Sequence, residues 1–145
     1  MKWFVSSVFL LSWGLWLGGV VAILLLVQRL FQYDRNTALS AAPQMFLVFE
    51  KYQLTLAAAT VVSVAGNRGR RRFVALLPLV LAAAVCATTS ALFITPRIEH
   101  LRLVGEQRTA AFSTLHGLSM LIYLIEVMVL LAAGVILARP ASESV

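Results

Sequence analysis

Charged side chains are scarce in this sequence, and acidic ones scarcest: six Asp and Glu stand against twelve Lys and Arg in 145 residues. The charged share is 12%, about half of the roughly 25% that soluble domains carry, so the solvated surface of a water-soluble fold is missing. Cysteine occurs once, as Cys86. A lone cysteine forms no internal disulfide and leaves the redox compartment unread; within an apolar block it reads as a small hydrophobe. Histidine occurs twice, and no metal-ligand spacing, phosphate-cradling glycine loop or nucleophile–base pair accompanies it. No catalytic residue, metal or cofactor is therefore expected, and soluble-type enzymology has no support.

What the sequence does have is apolar length. Hydrophobic residues make up 61% of the chain and mean hydropathy is +0.90, gathered into four long runs as membrane spans are. The pattern predicts an all-α integral membrane four-helix bundle. It forms a single domain over residues 1–138, with helices at about 3–27, 44–65, 73–94 and 109–137 and a short polar tail at 139–145. The first run, Trp3 to Val27, is about 25 residues long, too long for the 7–15-residue core of a signal peptide. The polar stretch Gln28–Pro43 reads as a linker whose closing proline starts the second helix. Gly66–Arg72 reads as a turn. Thr95-Pro96 reads as an N-cap and first helical position, opening an amphipathic segment, Pro96–Arg108, that lies on the membrane surface. The fourth span would be about 43 Å long and must tilt or project beyond a bilayer core of roughly 30 Å.

The net charge of +6 does not point to nucleic acid, because the basic residues sit at the ends of apolar runs and form no stripe interleaved with aromatics. The lipid bilayer is the expected partner. The dense cluster Arg68, Arg70, Arg71 and Arg72 places the middle connection, and with it both termini, in the cytoplasm, making this a multi-pass plasma-membrane protein. Gly14, Gly18 and Ala22, four apart on the first helix, form a smooth seam for helix packing and for a homo-oligomer, and Ala82, Ala83, Ala84, Ala87 and Ala91 do the same for the third. Trp13 and Trp16 lie deep enough to pack inside the bundle, whereas Trp3 suits the interface.

An ionisable residue inside a span is costly and marks a functional hypothesis. The second helix carries Glu50, Lys51 and Gln53; the fourth carries His116 and Glu126. Glu50 lies about 10 Å past Pro43 and His116 about 12 Å past Arg108 on the same side of the membrane, so the two share a depth. His116, Ser119, Met120 and Tyr123 fall on one face, with Glu126 at its edge. Glu50 and Gln53 share a face of the second helix, while Lys51 points elsewhere and can snorkel. The expected site is a polar pocket between the second and fourth helices, lined by Glu50, Gln53, His116, Ser119, Tyr123 and Glu126 and open toward the first and third connections. Three readings compete for it: a Glu–His pair that locks two helices, a path for a small solute, ion or proton, and a haem or metal site using His116 and Met120, the sparsest ligand set of the three.

Several segments together resemble a known family: Trp13–Gly19 (WGLWLGG), Phe46–Tyr52 (FLVFEKY), Thr95–Arg102 (TPRIEHLR) and Ala111–Met120 (AFSTLHGLSM). Their order and spacing are similar to the transmembrane protein 205-like family, small four-helix membrane proteins of largely unknown function. The resemblance runs from about Ser12 to Leu137, and its most specific part is the arginine-containing third connection followed by Phe112, His116 and Ser119. It implies the fold and a membrane location, and supplies no reaction.

Overall fold

The computed structural model describes residues 2–67, 69 and 71–138, with side chains from residue 5 onward. The polar tail at 139–145, Arg68 and Arg70 of the basic cluster, and the Trp3 side chain lie outside the described residues. Helix α1 spans Lys2–Tyr33, α2 Arg35–Gly66, α3 Arg71–Thr89, a π-helical turn Ser90–Ile94, α4 Thr95–Leu103 and α5 Ala110–Ala138. No strand occurs among the described residues. Four helical stretches are long and apolar enough to cross a membrane, because α3, the π turn and α4 form one rod, Arg71–Leu103.

The expected linker is not a linker. Its residues are helical on both sides of a single break at Asp34, which has extended backbone (φ −149°, ψ 108°) and caps α2. The Asp34 carboxylate accepts from the Asn36 N–H (2.9 Å), one of the donors a helix start leaves orphaned, and from the Thr37 hydroxyl (2.5 Å). The alanines and leucine of the Ala38–Ala42 stretch then carry helix onward. Pro43 lies inside α2 rather than at its start. A proline there donates nothing to the carbonyl four residues back, and that carbonyl, on Leu39, instead accepts from the Arg102 guanidinium at 3.3 Å.

Pro96 shapes the third crossing in a similar way. Its ring would clash with the carbonyl one turn earlier, and the chain widens just before it: the Thr95 N–H donates to the Ser90 carbonyl, five residues back. Thr95 is therefore no N-cap, and Pro96, in the first turn of α4, continues the rod rather than starting a separate helix. The rod continues to Leu103 and closes at Gly105, whose φ of 79° suits glycine. The Glu106 N–H donates to Leu101 O (2.8 Å) and the Gly105 N–H to Arg102 O (3.2 Å), the paired bonds of a Schellman end. Thr109 opens α5 by accepting from the Phe112 N–H at 3.3 Å.

The crossings pack in a ring, α1 on α2, α2 on the α3 rod, that rod on α5, and α5 on α1. Phe9, Trp16, Val20, Val64, Leu76, Val80 and Leu130 fill the centre, and Phe9 meets Phe73 edge-on across it (centroids 5.3 Å). Leucines and valines such as Leu11, Leu25, Val62 and Val85 point outward, as lipid requires. The small-residue seam behaves unlike the expectation within one chain: a Cβ on Gly14 or Gly18 would meet nothing within 4 Å. Close approach falls instead on Gly19 and Gly134, where a Cβ would stand 3.1 Å from the Tyr52 ring and 2.8 Å from the Trp13 ring. Trp13 lies flush there and donates to Leu130 O at 3.1 Å.

Candidate functional site

Helix α2 turns its polar side inward. Glu50, Gln53, Thr60, Ser63 and Asn67 are all buried, with Ala57 among them, and their spacing of three and four keeps them on one face. Each needs a partner, since lipid offers none. Thr60 donates to the Ser12 hydroxyl of α1 at 2.9 Å, and the Asn67 amide to the Ser63 carbonyl at 2.9 Å.

Glu50 is where three elements meet. Its Oε1 accepts from the Thr95 hydroxyl, from Ser90 at 3.4 Å and from Tyr123 of α5 at 3.4 Å. The π turn makes this convergence possible. At 3.6 residues per turn, positions five apart lie about 140° apart on an α-helix; the wider turn brings Ser90 and Thr95 toward one side. Phe46 and Phe49 pack on the Tyr123 ring, with centroids 5.8 and 6.4 Å away, and hold its hydroxyl over the carboxylate. One turn further along α5, fully buried Glu126 accepts from the Trp16 indole N–H at 2.7 Å.

Neither buried carboxyl has a basic partner among the described residues. The ion pair among the described residues is Glu99–Arg102, at 2.5 Å on α4. An unpaired carboxylate in a low-dielectric interior is costly; hydroxyl and indole donors offset part of that cost for Glu50 and Glu126. Outside the spans, the Thr37 hydroxyl and the Asn36 N–H hold the Asp34 carboxyl below its ordinary range.

Beyond Thr95 a cavity of about 160 Å³ opens at the end of the bundle that holds the first and third connections. Its walls are largely apolar, with Phe46, Ile98 and Phe112 beside Thr95, His116 and Ser119, and the Glu99–Arg102 pair forms part of the wall. Thr95 thus touches both the cavity and Glu50.

Of the residues singled out from sequence, Glu50 and Tyr123 meet directly, and Gln53 and Glu126 lie buried one turn deeper. His116 and Ser119 line the outer cavity instead; the exposed His116 ring stacks on Phe112 (6.1 Å, 6°) and bonds to no carboxylate among the described residues. Met120 lines a different, outward groove between α1 and α5, so the His116–Met120 ligand pair does not converge. Sequence reasoning missed Ser90, Thr95 and the indole of Trp16 as site residues. The available signal was the hydroxyl pair five apart just before Pro96, where a proline favours a widened turn.

The sequence matches a family described as "Domain of unknown function (DUF4149)" over residues 11–107. The chain belongs to the DUF4149 family. The matched DUF4149 span contains Trp16, Glu50, Gln53, Ser90 and Thr95 and ends before α5, which supplies Tyr123 and Glu126. No curated protein and no solved structure matches this chain.

Proposed function

We propose that this DUF4149 protein binds, or passes across the bilayer, a small solute or a proton through the polar interior between α2 and α5. The reading rests on one observation above the rest: two carboxyl groups, Glu50 and Glu126, are buried within a membrane-spanning bundle without a basic partner among the described residues. Ionisable groups so placed mark solute and proton paths in membrane proteins. The cavity that ends at Thr95 supplies an approach to Glu50 from one membrane face. The likeness to transmembrane protein 205-like proteins supports the same class of small membrane protein, sited in the plasma membrane with both termini cytoplasmic. The open face at Gly14, Gly18 and Ala22 suits contact with a second copy.

A purely structural role is the competing reading, favoured by the bonds that tie α1 to α5 through Trp16–Glu126 and α2 to the third crossing through Glu50–Thr95. Proton flux into liposomes, read with an entrapped pH-sensitive dye, separates the two. The transport reading expects flux in the wild type, its loss in Glu50→Gln, and an unchanged melting temperature. No flux in either protein, with a lowered melting temperature in the variant, makes Glu50 structural.

A further inference from the structure

The interior holds hydrogen-bonding capacity that no side chain uses. Gln53 is fully buried, and neither its amide nitrogen nor its oxygen has a partner among the described residues. Glu126 is equally buried; Trp16 donates to Oε1, while Oε2 has no partner among the described residues. Buried polar groups are nearly always satisfied, so each such group calls for a ligand, water or ion.

These groups share one level. The crossings alternate in direction, so α2 and α5 run parallel. Glu50 and Tyr123 touch, and three residues on from each, about 4.5 Å along either axis, come Gln53 and Glu126. Helix α1 runs the other way: Gly19 faces Phe49 and Tyr52, Ser12 meets Thr60, and Trp16 falls between those contacts. Gln53 and Glu126 are thus buried at one level of the bundle, one turn from the Glu50–Tyr123 contact.

That donor set suits a hard cation, which takes carboxylate, carbonyl and hydroxyl oxygens. One carboxylate at the level of Gln53 matches a single positive charge. A multivalent ion would call for more gathered ligands, and no group of three His, Cys, Asp or Glu that could hold one occurs among the described residues. Lys51, on the other side of α2, is exposed and brings no competing cation inward. We propose that Gln53 and Glu126 hold a monovalent alkali cation of the sodium class in the middle of the bundle. The assignment deepens the solute reading above by naming the solute, and rests on it for the ion's passage.

The test uses the full chain, purified in detergent, melted in sodium, potassium or choline chloride at equal ionic strength. Sodium at about ten times its Kd raises the melting temperature by about 4 °C over choline. Glu126→Gln and Gln53→Leu both abolish that difference. Gln53→Leu melts no lower than wild type in choline, because it removes a partnerless amide, so it reports even where Glu126→Gln fails to fold. Equilibrium dialysis with radioactive sodium finds about one ion per chain in the wild type and none in Gln53→Leu. Identical melting in all three salts, or a sodium effect that survives in Gln53→Leu, overturns the assignment. Proton flux without any sodium response also overturns it and leaves the transport reading standing. Sodium binding without flux keeps the site and sinks transport.

Discussion

Trp16 and Glu126 stand 110 residues apart in sequence and are joined by one hydrogen bond of 2.7 Å in the core. Trp16→Phe keeps most of the ring but leaves Glu126 with no donor among the described residues. Losing that bond and exposing a buried acceptor costs about 1–2 kcal/mol, which unfolding in mixed micelles should register; an unchanged stability would show that the bond contributes nothing. Two kinds of glycine can be told apart in the same assay. Gly134→Ala forces a methyl to within 2.8 Å of Trp13, and overpacking of that kind costs about 1–3 kcal/mol. Gly14→Ala meets open space and gains helix propensity, up to about 1 kcal/mol. Equal destabilisation by the two would mean that Gly14 is packed against something, as a second copy would do.

At the scale of elements, the π turn decides which residues meet Glu50. Deleting the exposed Leu92 leaves Ser90 and Thr95 four apart, which is one face of an ordinary α-helix, so the third crossing should lose its widened turn and keep its bonds to Glu50. Deleting Ala84, outside that turn, instead rotates everything after it by about 100° and should abolish folding. Expression and melting temperature of the two deletions compare these outcomes; equal damage from both would refute the register argument. Helix existence was legible from apolar length alone. The ends near prolines were not. Pro43 and Pro96 read as helix starts because a proline fits the first turn, whereas each lies within a longer helical rod. At Pro43 a distant guanidinium, Arg102, takes the carbonyl that proline leaves free, and a pattern search along one helix has no means of seeing that partner.

For the whole molecule, Arg72 donates to Leu137 O at 3.3 Å, so the turn between α2 and α3 lies at the same end of the bundle as the close of α5. With the basic cluster at that end, Gly69 is expected in the cytoplasm and Gln107 outside. In a Cys86→Ala background, a membrane-impermeant maleimide applied to intact cells should label Gln107→Cys and spare Gly69→Cys; the reverse pattern would invert the protein.

The sequence by itself determined the class of the protein, because apolar runs of this length are stable only as membrane helices, and it pointed to Glu50, Gln53, His116, Ser119, Tyr123 and Glu126, because ionisable and amide groups within a span are rare and the two hydroxyls share the His116 face. Only the tertiary structure decided the partners. Glu50 bonds to Ser90, Thr95 and Tyr123 rather than to His116, and Glu126 to Trp16. Depth along a helix follows from residue number, whereas the direction in which a face points depends on how four helices pack and on one widened turn. By residue count His116 shares a depth with Glu50, yet Glu50 meets Tyr123, two turns further along α5, while His116 lines the outer cavity.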